Sequence, residues 1–113
     1  MYIYEIKKSK FIGELYSISC QEDVTSILEE VKKDHKKARH ITYAYRLSTP
    51  FYEKAFDDGE PSGTAGKPIL NVLQKNNINN KLLIVVRYFG GIKLGTGGLL
   101  RAYSKTASET LKN

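Results

Sequence analysis

The chain is organised around one stretch, from Phe56 to Tyr103, which holds two glycine-rich loops and an apolar run. The first loop reads Asp57-Asp58-Gly59-Glu60-Pro61-Ser62-Gly63-Thr64-Ala65-Gly66-Lys67-Pro68, and the second reads Gly90-Gly91-Ile92-Lys93-Leu94-Gly95-Thr96-Gly97-Gly98. Between them lies Leu82-Leu83-Ile84-Val85-Val86, followed at once by Arg87-Tyr88-Phe89. Eight of the nine glycines fall in this stretch. Because glycine tolerates positive φ and lets an anion or another backbone come close, this concentration beside a buried strand indicates a site.

Length and composition indicate one globular domain, residues 1–113, since 41% of the residues are hydrophobic and 27% are charged. The longest apolar run, from Leu82 to Val86, is far shorter than the roughly 20 residues of a membrane span. The first residues show no secretory pattern, and the single cysteine, Cys20, cannot form an internal disulfide. We therefore expect a cytoplasmic protein with no membrane partner.

Positive charge is concentrated with the glycine loops. The segment from Pro61 to Ser108 has seven basic residues and no acidic one, whereas residues 1–60 carry ten basic and eleven acidic groups. The net charge of +6 therefore belongs to the glycine-rich part of the chain. Such an asymmetry is typical of proteins that bind a polyanion, although a generally lysine-rich composition would also produce it.

Residue patterns predict two strands and a helix in the first third of the chain. Residues Tyr2–Ile6 and Phe11–Ile18 are rich in β-branched and aromatic side chains, which favour strands. Ser19 followed by Glu22 is a capping-box pattern, and apolar residues then recur at helical spacing as far as about Ala38.

The remaining elements are predicted from periodicity. Residues 41–47 alternate as a half-buried strand, 51–58 are expected to form a loop, and a helix is expected over about 65–75. Residues 82–86 are apolar throughout, as in a central strand covered on each side, and a last amphipathic helix covers 99–111. The order β-β-α-β-α-β-α predicts an α+β fold, a two-layer sandwich with the helices on one face of the sheet.

Both glycine loops lead into predicted helix starts, where unpaired N–H groups and the helix dipole attract anions. Tyr88, beside an arginine, could in addition stack on a base. The glycines could equally serve only tight turns and close packing. The candidate residues for binding an anion or nucleic acid are Gly63, Thr64, Gly66, Lys67, Arg87, Tyr88, Gly90, Gly91, Lys93, Gly95, Thr96, Gly97, Gly98 and Arg101.

Several chemistries are excluded by spacing. A Walker A motif needs glycine where Pro61 stands and Ser or Thr where Pro68 stands, and the second loop lacks the G-x-G-x-x-G pattern. No nucleophile elbow or triad signature is present, so no catalytic residue, metal or cofactor is predicted. Asp57, Asp58 and Glu60 could hold a divalent cation, cap the following turn or pair with an arginine.

The two long motifs together resemble the signature of the IMPACT/YigZ family. The similarity rests on residues 57–68, on 85–99 and on Arg101-Ala102-Tyr103, with Ser9-Lys10-Phe11-Ile12 and Ala38-Arg39-His40 also matching. The resemblance implies the left-handed βαβ fold named after the second domain of a small-subunit ribosomal protein. It also implies a connection with translation, because eukaryotic members are translational regulators and bacterial members have been proposed to bind nucleic acid.

Charge and resemblance together favour a non-enzymatic module that binds RNA or a ribosome-associated protein and acts in the regulation of translation. The contact surface is expected on the side of the glycine loops that carries Arg87 and Arg101. Two alternatives stay open at this point. One is an enzyme or binder acting on a phosphorylated small molecule, and the other is a protein–protein adaptor.

Overall fold

A five-stranded antiparallel sheet forms the centre of the computed structural model, which describes residues 1–113. The strands are β1 (Tyr2–Ile6), β2 (Ser9–Ser17), β3 (His40–Ser48), β4 (Phe51–Phe56) and β5 (Lys81–Tyr88), in the spatial order β1-β2-β5-β3-β4. The helices are α1 (Gln21–Asp34), α2 (Gly66–Lys75) and α3 (Gly95–Lys112). The predicted α+β class is confirmed.

The central strand is β5, as its apolar sequence predicts. It pairs with β2 on one side and with β3 on the other, so both of its edges are hydrogen-bonded. Leu83 and Val85 belong to the core beneath α2 and α3, whereas Leu82, Ile84 and Val86 belong to the core beneath α1. A strand that is buried on both faces needs apolar side chains at every position, and this is why the run lacks alternation.

The prediction that all helices lie on one face of the sheet was wrong. Helix α1 packs through Val24 and Val31 on the face opposite to α2 and α3, so the sheet is covered on both sides. Burial of β5 on both faces requires this arrangement. None of the three helices combines the length and the apolar character that crossing a bilayer requires.

The prediction of a loop over residues 51–58 was also wrong, because residues 51–56 form β4. This strand pairs with β3 over six residues, and its Glu53 makes a salt bridge of 2.8 Å with Arg46 of β3. As the edge strand, β4 is exposed along almost its whole length. Its side chains do not alternate between buried and exposed positions, and its sequence therefore lacks the period-two pattern that predicts a strand.

The start of α1 differs in detail from the predicted capping box. The backbone N–H and the hydroxyl of Ser19 both donate to the Asp23 carboxylate, at 2.7 and 2.9 Å, rather than pairing with Glu22. The helix ends at Asp34, four residues before the predicted end at about Ala38. The His35 side chain then turns towards β5, where its Nδ1 lies 2.6 Å from the Tyr88 hydroxyl.

Substitution of Gly66 tests how closely α2 packs on β4. A Cβ at Gly66 would lie 2.5 Å from the backbone nitrogen of Phe56, and neither backbone can yield easily. We expect Gly66→Ala to lower the free energy of unfolding by about 1–3 kcal/mol, as measured by urea denaturation.

Gly97→Ala is the matched control, since Gly97 also lies in the first turn of a helix. Its added Cβ would approach only the mobile end of Arg101, at 3.4 Å. Its stability should stay unchanged or rise by up to about 1 kcal/mol, because alanine favours helix over glycine. Equal effects of the two substitutions would contradict this packing.

Candidate anion-binding site

A buried carboxylate, Glu60, joins four parts of the structure. Arg87 of β5 donates from Nη1 to both carboxylate oxygens, at 2.9 and 2.8 Å, and the Tyr103 hydroxyl of α3 donates to Oε2. Nε2 of His40, at the start of β3, lies 3.4 Å from Oε1. Both Glu60 and Arg87 are buried, so the first glycine loop is held to β3, β5 and α3 by this one charged group.

The surroundings of Tyr103 and His40, two neighbours of Glu60, determine where each side chain carries its proton. Burial raises the pKa of the Tyr103 phenol far above its usual value, and the hydrogen bond to Glu60 raises it further, so Tyr103 remains a neutral donor. Nδ1 of His40 lies 2.7 Å from the carbonyl oxygen of Asp58. Because a carbonyl oxygen only accepts, His40 carries a proton on Nδ1 and directs Nε2 towards the carboxylate.

The first glycine loop does not offer unpaired amides to an anion, because Asp57 already occupies that position. One Asp57 oxygen accepts from the N–H of Gly63 at 2.9 Å, and the other accepts from Ala65 at 3.2 Å and from Gly66 at 2.8 Å. Thr64 donates from both its N–H and its hydroxyl to the carbonyl of Pro61. The prediction of an anion site at Gly63, Thr64 and Gly66 is therefore corrected: the chain supplies its own anion there.

The three clustered carboxylates are all engaged within the fold. Asp57 caps α2, Asp58 accepts the N–H of Ile41 at 2.7 Å, and Glu60 pairs with Arg87. Of the alternatives left open by the sequence, capping and ion pairing are therefore the arrangements present. No three His, Cys, Asp or Glu side chains lie together as a potential metal site.

The start of α3 differs from the start of α2, because its first-turn amides have no partner. The N-cap position, Leu94, provides no side-chain acceptor, and the first turn contains no acidic residue. No hydrogen bond within the chain uses the backbone N–H groups of Gly95, Thr96 and Gly97, the first three residues of the helix. These three donors, on exposed residues, lie at the positive end of an 18-residue helix.

A cavity of about 350 Å³ opens at this helix start, between the two glycine loops and the adjoining ends of β3 and β5. Arg39, His40, Arg87 and Lys93 line it together with Phe89. The salt bridges of the structure involve neither Arg39 nor Lys93, and both side chains are exposed. The Phe89 ring lies between two guanidinium groups, 5.1 Å from that of Arg39 and 5.3 Å from that of Arg87.

The other predicted site residues fall into two groups. Lys93, Thr96 and Arg101 are exposed around the start of α3, with Arg101 folded back to within 3.4 Å of the Cβ position of Gly97, and Gly91 and Lys67 are exposed as well.

Arg87 and Tyr88 do not form the expected contact surface. Arg87 is buried against Glu60, and Tyr88 packs on the α1 side of the sheet with its hydroxyl at His35. Gly90 is needed for packing, since a Cβ there would overlap the Lys8 carbonyl oxygen.

Sequence reasoning missed two basic residues, Arg39 and Lys7, that the fold brings to this region. Arg39 is at the cavity because its N–H donates to the Arg87 carbonyl, at 2.9 Å, in line with the β3–β5 pairing. Lys7, from the turn between β1 and β2, lines a second groove of about 430 Å³ with Arg101 and Lys105. Only the strand order could have revealed Arg39 and Lys7 as neighbours of the site, since both are distant in sequence from the glycine loops.

Comparison with known proteins gives consistent results. A sequence profile of the Impact N-terminal domain matches residues 7–111. The IMPACT family member YvyE of Bacillus subtilis is 47% identical over 109 residues, which are 96% of this chain and 50% of that protein. A crystal structure described as a hypothetical protein superposes with a TM-score of 0.92 at 39% identity, covering 99% of this chain and 56% of that one.

A more distant structure shares the fold. The two-domain translational regulator Yih1 superposes with a TM-score of 0.60 at 24% identity, over 92% of this chain and 42% of its own. In each of these comparisons the chain spans about half of the relative's length or less.

Removal of the Glu60 charge tests the buried network. Glu60→Gln leaves the Arg87 guanidinium buried without a counter-ion, and we expect the free energy of unfolding at neutral pH to fall by about 3–5 kcal/mol. Tyr103→Phe, which removes one hydrogen bond and leaves the ion pair, should cost less, about 1.5–3 kcal/mol. Urea denaturation of the two variants and the parent measures both; a Glu60→Gln variant as stable as the parent would contradict the network.

The raised pKa of Tyr103 predicts a loss of stability in alkali. The phenol stays neutral in the folded state while the unfolded chain ionises above about pH 10, so this stabilisation is complete below that pH and declines above it. One such group contributes a slope of up to about 1.4 kcal/mol per pH unit. Tyr103→Phe should show a correspondingly shallower decline in urea denaturation between about pH 10 and pH 11. Identical slopes would contradict the assignment.

Proposed function

Since the chain belongs to the Impact N-terminal domain family, we propose that it is a non-enzymatic module that binds RNA through its phosphates and acts in the regulation of translation. The observation that carries the proposal is the row of unpartnered amides at the start of α3. Backbone N–H groups at a helix start are suited to phosphate, because the donors and the helix dipole act in the same direction.

The surroundings of these amides support an anionic ligand. Arg39 and Lys93 line the cavity on one side of the helix start, and Arg101 lies over the first turn. None of the three is held by a carboxylate. Phosphate contacts do not require a fixed base sequence, so this surface fits a module that recognises backbone rather than one base order.

A polymer is favoured over a single phosphate because the basic surface continues beyond the cavity. Leu94 lines both the cavity and the second groove, in which Lys7, Arg101 and Lys105 are the charged residues. Cationic grooves on both sides of one helix start fit successive phosphates of a chain. The link with translation rests on family membership and on the fold shared with a protein described as a translational regulator.

A phosphorylated small molecule is the second candidate, and the cavity itself favours it. Its volume of about 350 Å³ lies at the lower end of the range for small-molecule sites, about 300–1,000 Å³. The two candidates differ in the second groove, which an RNA backbone would use and a mononucleotide would not reach.

A carboxylate introduced at the start of α3 should raise the stability of the fold and weaken RNA binding. Thr96→Asp supplies the anion that the helix start lacks, so we expect the free energy of unfolding to rise by about 0.3–1 kcal/mol. The same charge should weaken RNA binding about tenfold or more, and lower the slope of log affinity against log salt by about one. Fluorescence anisotropy of a labelled RNA at several salt concentrations measures the affinity.

Thr96→Asn is the control, since it has the same shape as Thr96→Asp without the charge and should bind within about threefold of the parent. RNA that fails to bind the parent at low salt would overturn the proposal, as would undiminished affinity of Thr96→Asp. A mononucleotide that displaces RNA completely, with no effect of Lys105→Ala on either ligand, would select the small-molecule candidate instead.

A further inference from the structure

The edge strand β4 carries all the exposed aromatic side chains of the chain. They are Phe51, at 63% exposure, and Tyr52 and Phe56, each at 41%. The other aromatic residues are buried or half-buried. Three exposed aromatic rings on one six-residue strand are a concentration that folding alone does not require.

Two of these rings lie on the same uncovered face. The register pairs Phe56 with Tyr43 and Tyr52 with Leu47, which places both rings on the α1 side of the sheet. The ring of Phe56 lies 5.2 Å from that of Tyr43, and the ring of Tyr52 lies 6.0 Å from that of Tyr45. Neither ring belongs to the core cluster that α1 shares with β2, β3 and β5, and both remain exposed to solvent.

A lysine, Lys54, lies between Tyr52 and Phe56 along the strand. Lys54 shares their face, and its Nζ is 5.9 Å from the ring centroids of both Tyr43 and Phe56. The only acidic residue of β4, Glu53, points to the opposite face, where it pairs with Arg46. This side of β4 is thus aromatic and cationic, which complements an anionic polymer with planar groups rather than an acidic or purely apolar partner.

We propose that Tyr52 and Phe56 form a stacking platform for unpaired bases of single-stranded nucleic acid, with Lys54 contacting the phosphate between them. Four residues along a strand separate the two rings by about 14 Å, which leaves room for Lys54 between two stacked bases. Stacking on aromatic side chains is tolerant of sequence, so the platform would add affinity for single strands without selecting a base order. Duplex RNA, whose bases are already stacked, does not use it.

The platform lies on the opposite face of the sheet from α3, and the chain leads from one to the other where β4 ends. The strand ends at Phe56, and the next residues lead directly to Asp57 and to Glu60 at the cavity. This inference rests on the proposed RNA binding, to which it adds the preferred form of the ligand.

A tryptophan introduced on the platform provides a direct test, because the chain contains none. The Phe56→Trp variant is titrated with a short uridine oligonucleotide at low salt while its intrinsic emission is followed. The expected result is quenching that saturates together with binding, since a stacked base quenches indole fluorescence. Phe51→Trp, on the opposite face of the same strand, is the control and should show no saturable quenching.

Affinity gives an independent readout. Anisotropy of the labelled oligonucleotide should show that Phe56→Ala and Tyr52→Ala each weaken single-strand binding about fivefold or more, while Phe51→Ala and the affinity for a duplex of equal length do not change. Single-strand binding that is sensitive to Thr96→Asp but indifferent to the platform variants would overturn this inference alone. Absence of any RNA binding by the parent would remove the proposed function and the platform together. Changes in emission that follow protein concentration instead of RNA would identify a second copy of the chain as the occupant and equally overturn the inference.

Discussion

The buried ion pair between Glu60 and Arg87 is the contact on which the geometry of the site depends. It joins the first glycine loop to the end of the central strand, and the Tyr103 hydroxyl attaches α3 to the same carboxylate. A carboxylate in such a position is tolerated only with its partners in place, because an unpaired buried charge is very costly. The pair therefore positions the start of α3 beside β3 and β5, and the cavity is the space left between them.

The two glycine loops have similar sequences, but a carboxylate of the chain neutralises the helix start only at the first of them. At α2, Asp57 accepts hydrogen bonds from three amides of the loop and helix start, so the helix end is already neutralised from within the chain. At α3 no residue performs that task, and Arg39, Lys93 and Arg101 have no carboxylate partner. A positive helix end left in this state is stabilised when an external anion binds.

The sequence predicted the parts of the fold in which a local pattern coincides with burial. Leu82–Val86 was identifiable as a central strand because it is apolar on both faces, and α3 because its apolar residues recur at helical spacing. Strand β4 was missed because an exposed edge has no such pattern. The closure of the first loop was not predictable either: Asp57 reaches a helix start nine residues further on, at Gly66, outside the spacing of any local capping motif.

The central claim, that an anion binds the first turn of α3 and not that of α2, is tested most directly by following backbone amide NMR signals during titration with inorganic phosphate and then with a short RNA. We expect the signals of Gly95, Thr96 and Gly97 to shift in a saturable manner, while those of Gly63 and Gly66, already bonded to Asp57, stay in place. Saturable shifts at Gly63 and Gly66 with none at Gly95, Thr96 and Gly97 would contradict the claim.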